Sequence, residues 1–100
     1  MVVEFLTFEV GAALRDHWIE RDEAVWTTFL EDQPGFVHKE VWTTDDEPDT
    51  VRLVIWWASP EHWEAVDPAR VAAVDAGLGS LAVAPAGPAQ AFTVARSTPA

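Results

Sequence analysis

Residues 51–58 read VRLVIWWA, an apolar run broken only by Arg52. Its β-branched and aromatic content predicts a strand, and in a strand successive side chains point to opposite faces. An almost unbroken apolar strand therefore needs cover on both sides of its sheet. Few architectures of 100 residues provide that. A chain this short forms one domain and buries roughly 60–70% of the surface its unfolded form exposes. Its helices suffice for one face of a sheet only. The second face is then expected to be covered by another copy of the chain, through a homodimer formed by the sheet.

The remaining pattern supplies the layers. Residues 1–10 (MVVEFLTFEV) read as a first strand ended by Gly11. Over residues 12–32 the period changes to that of a helix. At about 100° per residue, Leu14, Trp18, Ile19, Val25, Trp26, Phe29 and Leu30 share one arc, while His17, Glu20, Ala24, Thr27, Thr28 and Glu31 lie opposite. Gln33, Pro34 and Gly35 break this helix. Residues 36–43 (FVHKEVWT) form a second strand, and the acidic turn 44–50 makes a hairpin with the strand 51–58. Ser59-Pro60-Glu61 and Asp67-Pro68 are helix starts, a capping oxygen followed by proline, so two short helices or one kinked helix are predicted over 60–66 and 68–77. Residues 77–88 read as a flexible connection and 90–96 (QAFTVAR) as a last strand. The order is β-α-β-β-α-β, a two-layer α+β domain over 1–96 with a loose tail at 97–100.

Six Lys and Arg against seventeen Asp and Glu give a net charge of −11. That sign repels phosphate backbones and anionic lipid, so no nucleic-acid or membrane partner is expected. No apolar run approaches the roughly 20 residues that span a bilayer, and the basic flank of a signal peptide is missing; a cytoplasmic location is expected. The absence of cysteine removes disulfides, thiolate metal sites and cysteine nucleophiles. No two histidines have metal-ligand spacing, so no metal site is expected.

Chemistry is suggested by the first helix. Asp22 projects into the apolar arc between Trp18 and Trp26, and Arg15 points in nearly the same direction. Placing ions on a core-facing stripe costs several kcal/mol each unless they are paired or solvated. A pocket between helix and sheet would account for both. Asp22 would then be an acid/base or an anchor for a substrate hydroxyl; the alternative is a salt bridge at the helix edge. His38 alternates along its strand with Phe36, Glu40 and Trp42. It is a candidate base if that face looks at the helices and an interface residue if it looks at a partner. His17 and His62 read as surface residues. Trp18, Trp26, Trp42, Trp57 and Trp63 are candidates to line one cavity, with plain core packing as the alternative. No nucleophile elbow, P-loop or dinucleotide fingerprint occurs.

Pro34-Gly35-Phe36 after a long helix, Lys39-Glu40-Val41-Trp42, and Val54-Ile55-Trp56-Trp57-Ala58-Ser59 running into a short helix resemble the dimeric α+β barrel superfamily, near the antibiotic biosynthesis monooxygenases. The resemblance implies a ferredoxin-like protomer, paired sheet to sheet, with a pocket between sheet and helices and Trp57 facing it. Members of that superfamily include cofactor-free oxygenases of aromatic molecules, cyclases, isomerases and haem degraders. The haem degraders carry a histidine late in the second helical region and an asparagine in the first strand; here no histidine follows Trp63 and residues 1–10 contain no asparagine, although Trp57 matches their ligand-facing tryptophan. The expected function is that of a cofactor-independent monooxygenase, cyclase or isomerase acting on a hydrophobic aromatic metabolite. The alternatives are a non-catalytic ligand-binding or regulatory protein and a haem-binding protein.

Overall fold

A computed structural model describes residues 1–100. Four strands, β1 (Val2–Glu9), β2 (Phe36–Trp42), β3 (Thr50–Trp57) and β4 (Gln90–Thr93), form one antiparallel sheet in the order β2-β3-β1-β4. Helix α1 (Arg15–Asp22) continues through a π-helical turn (Glu23–Thr27) into α2 (Thr28–Glu31), and α3 (Pro60–Glu64) and α4 (Pro68–Ala76) follow β3. This is the expected ferredoxin-like α+β topology. The apolar run of β3 takes a central place beside β1, and the short β4 is an edge.

Local chemistry sets the boundaries. Ser59 Oγ accepts from the His62 amide at 3.2 Å, and Asp67 Oδ1 accepts from the Ala69 amide at 2.9 Å, each ahead of a proline that has no amide to leave unpaired. Gly35 closes the turn into β2 with φ +82°, and a Cβ there would overlap the His62 ring. Gly35→Ala is expected to destabilise the fold by at least ~1–3 kcal/mol. A thermal melt checks this, at roughly 4–8 °C per kcal/mol for a domain of this size.

The register decides which residues meet. On β1 and β3 the helix-facing residues include Val2, Glu4, Leu6 and Phe8, and Val51, Leu53, Ile55 and Trp57. On β2 a bulge between Phe36 and His38 inserts Val37 as an unpaired residue. Phe36 packs against Trp57 on the helix side, and beyond the bulge it is Lys39 and Val41 that share this face. His38, Glu40 and Trp42 lie on the other.

Two buried clusters, one around Val2, Leu30, Ile55 and Trp57 and one around Val10, Trp18, Val51 and Leu53, make up the core. Only 11 of the 100 residues are fully buried, because a cavity interrupts the core and nothing overlies the outer face of the sheet. The stretch expected to be a flexible connection is docked. Leu78 is buried, Leu81 O accepts from Trp18 Nε1 at 3.0 Å, and the Ala86 amide bonds Thr7 O at 2.8 Å. No helix is long and apolar enough to cross a membrane.

Candidate active site

Between sheet and helices lies a cavity of about 640 Å³, within the ordinary range for small-molecule sites. Its floor is the sheet: Glu4, Leu6 and Phe8 from β1, Leu53, Ile55 and Trp57 from β3, and Lys39 from β2. The first helix contributes Trp18, Asp22, Trp26, Phe29 and Leu30. Trp63, several α4 residues including Asp75, and the strap Val83–Pro85 complete the wall. Sixteen of the 22 lining residues are hydrophobic, so an occupant of this space must be largely apolar.

The polar groups are few and placed by backbone irregularities. Asp22 and Lys39 have side chains only 1% and 3% exposed, and Lys39 Nζ donates to Asp22 Oδ2 at 2.6 Å. Lys39 Nζ also donates to Thr27 Oγ1 at 2.7 Å. A regular helix would carry Thr27 away from Asp22. The π turn, with its i→i+5 repeat, stacks residue 27 over residue 22 and delivers the hydroxyl to the same ammonium. Asp22 Oδ1 is buried and has no partner, an arrangement that costs free energy unless a ligand satisfies it. Burial pushes the Asp22 carboxyl above the ordinary aspartate range, and the Lys39 ammonium offsets part of that rise.

A second carboxylate faces the same space. Glu4 Oε1 accepts from Trp57 Nε1 at 3.2 Å. Desolvation raises its pKa, and the indole N–H groups of Trp57 and Trp63 oppose the rise. Glu4 and Lys39 both stand opposite Ile55, one on each side. The cavity floor thus carries a carboxyl and an ammonium group on one row across the sheet, separated by an apolar side chain.

Of the residues expected at a site, Trp18, Asp22, Trp26, Trp57 and Trp63 line this cavity. Arg15, His38 and Trp42 do not. Arg15 stands at the first turn of α1 and reaches away to Pro48 O at 3.4 Å. Simple alternation along the strand groups His38 and Trp42 with Phe36, and the bulge reverses that parity. On the outer face, His38 Nε2 and Trp42 Nε1 hold the Glu40 carboxylate at 2.7 and 2.8 Å, and the His38 ring lies against Trp56. Those two bonds lower the Glu40 pKa. Glu4, Thr27, Lys39 and the strap were not singled out from sequence. Glu4 alone carried a signal, as a carboxylate alternating with Val2, Leu6 and Phe8.

No group of three His, Cys, Asp or Glu side chains lies close enough to hold a metal ion. None of the three histidines lines the cavity, and the one amine there is committed to Asp22, so the donor set does not fit axial ligation of a haem iron.

The fold has relatives of known structure. SnoaB, a cofactor-independent oxygenase from Streptomyces nogalater, is 21% identical over 97% of this chain and 94% of its own, with a TM-score of 0.66. The ActVA-Orf6 monooxygenase of Streptomyces coelicolor, solved with nanaomycin D, is 24% identical over 99% of this chain and 90% of its own, TM-score 0.72. The heme-degrader MhuD of Mycobacterium tuberculosis, with two hemes in its active site, is 22% identical over 99% of this chain and 100% of its own, TM-score 0.72. At these identities the likeness is one of fold. No curated protein sequence matches. The family model for the antibiotic biosynthesis monooxygenases matches residues 1–66, the segment from β1 through α3 that carries most of the cavity, and the chain belongs to that family.

Proposed function

We propose that the protein is a small-molecule enzyme of the cofactor-independent monooxygenase kind, acting on a hydrophobic, hydroxylated aromatic molecule held in the cavity, and that it works as a homodimer joined through the outer sheet face. One observation carries this reading: Asp22 is 1% exposed, lines an indole-walled cavity, and keeps one carboxylate oxygen without a partner. A substrate hydroxyl would satisfy that oxygen, while Trp18, Trp26, Trp57 and Trp63 would enclose flat rings. Deprotonation of such a ring system yields an electron-rich anion that can react with dioxygen. At a ring methylene, two hydrogens are lost and one oxygen is gained, and the second oxygen leaves as water.

The test is oxygen uptake with a hydroxylated anthrone and no added cofactor. Wild-type protein is expected to consume oxygen, and Asp22→Asn to lose roughly 10- to 100-fold in kcat/KM, the worth of a hydrogen bond to a charged group. Absence of both binding and uptake would remove this reading. The Lys39 contact favours a second reading, because it already neutralises Asp22 and leaves a pocket suited to binding alone. Anthrone bound without uptake, and weakened by Asp22→Asn, would establish that binding role instead.

A further inference from the structure

Two carboxylates face the cavity, and their surroundings differ. Asp22 is bound to a cation at 2.6 Å. Glu4 takes part in no ion pair and its bonding partner is a neutral indole N–H at 3.2 Å. Glu4 is partly buried, not sealed, so a ligand can reach it. Its register partner Ile55 is also the partner of Lys39. With neighbouring strands about 4.8 Å apart, the Glu4 and Lys39 backbones stand about 10 Å from each other across the floor.

We propose that Glu4, fixed by Trp57 Nε1 at the opposite end of the cavity floor from the Asp22–Lys39 pair, is the catalytic proton acceptor for an acidic hydroxyl of the bound aromatic molecule. Asp22 keeps its charge as the counter-ion of Lys39 and anchors the other end. The step is a single proton transfer: the hydroxyl O–H bond breaks, its electron pair stays on oxygen, and a new O–H bond forms on the Glu4 carboxylate. This division of labour rests on the proposed aromatic-binding cavity. Two carboxyls set in unlike environments are the usual basis for unlike roles. Burial without a cation also makes Glu4 a better proton acceptor than an exposed glutamate.

The charged groups around Glu4 can be followed element by element. Lys39 comes from β2, Asp22 from α1 and Asp75 from α4. The helix-facing side of β3 brings no titrating group, α3 reaches the cavity through Trp63, and β4 places Ala91 opposite Glu4.

The experiment compares binding of a naphthol with that of its methyl ether, by quenching of tryptophan fluorescence, from the ordinary carboxylate range up to neutral pH. Only the naphthol can donate a proton. Wild-type protein is expected to prefer the naphthol by roughly tenfold at neutral pH, with the preference fading as pH falls and Glu4 is protonated. Glu4→Gln keeps the shape and an acceptor for Trp57, and its preference should be independent of pH. Asp22→Asn should retain the wild-type pH step. A step that survives Glu4→Gln would assign the titration to Asp22 or Asp75 and overturn the proposal. So would equal binding of both probes by wild-type protein at every pH, which leaves the aromatic cavity intact. Failure of both probes to bind would remove the cavity reading and this role together.

Discussion

Replacing Lys39 with methionine is expected to destabilise the protein by about 3–5 kcal/mol at neutral pH, the cost of leaving a buried charge unpaired. Both members of the pair are almost sealed from water, at 1% and 3% exposure, so solvent can do little to compensate. For a domain of this size the melting temperature should fall by more than ten degrees. The loss should shrink as pH is lowered. Burial already raises the Asp22 pKa, with Lys39 opposing it, so removing Lys39 raises it further. A carboxyl raised on folding penalises the folded state fully above its folded pKa and not at all below its unfolded one. Acid therefore relieves the Lys39→Met variant by neutralising Asp22. Replacing both residues, as Asp22→Leu with Lys39→Met, should recover most of the stability, since a buried ion pair exchanged for packed apolar groups is often neutral or better. Melts of the two variants across pH measure this, and a Lys39→Met protein that melts like wild type would mean that Asp22 is already neutral.

A pair that apolar residues could replace without loss of stability calls for another reason to be there, and the cavity supplies one. Glu4 adds to the same balance. Its pKa is raised by burial too, so two carboxyls in the cavity disfavour folding as pH rises through their folded pKa values. Glu40 has the opposite sign: its bonds to Trp42 and His38 lower its pKa, which favours folding above its unfolded pKa and is lost as pH falls through the folded one. It is fully exposed, and solvent screening leaves that contribution small.

Most of the fold could be read from the chain because its signals are local. The prolines after Ser59 and Asp67, the break at Gln33 to Gly35 and the two hydrophobic periods each act over a few residues, and each recurs in the structure. Asp22 among indoles was visible for the same reason, a projection over one helical turn. What escaped depends on single-residue insertions. The bulge at Val37 turns Lys39 inward and His38 outward, and the π turn at Glu23–Thr27 brings Thr27 round to Lys39. Neither leaves a mark in composition, because both are settled by what the strand and helix pack against. Together they assemble the Asp22–Lys39–Thr27 cluster, so the regular repeats predicted the scaffold and its irregularities built the polar centre. The strap at 83–85 escaped for a plainer reason: alanine, valine and proline without a period do not declare a surface.

Phe5→Asp is expected to weaken self-association strongly while leaving the cavity intact. Phe5 sits on the central strand β1, on the outer face, with its ring 6.1 Å from Trp42 and 6.3 Å from Phe92. Trp42 and Phe92 are 45% and 53% exposed in one copy, and the half-buried Trp56 lies beside them on β3. A sheet face with this much aromatic surface is costly to leave in water, at about 25 cal/mol per Å² of apolar area, and the helices are all committed to the other side. A second copy of the same face is the cover proposed for it. A charge placed at the centre of such an interface should weaken it by roughly 2–4 kcal/mol, or about 30- to 1,000-fold in the dimer dissociation constant. Salt should tighten the wild-type dimer, because each copy carries a net charge of −11 and screening relieves their mutual repulsion. Sedimentation of both proteins at micromolar concentration, at low and high salt, reads these outcomes directly. A wild-type chain that sediments as a monomer under both conditions would leave the outer face uncovered and refute the dimer. Phe5→Asp should still bind the naphthol as wild type does, because Phe5 and the cavity lie on opposite sides of the sheet.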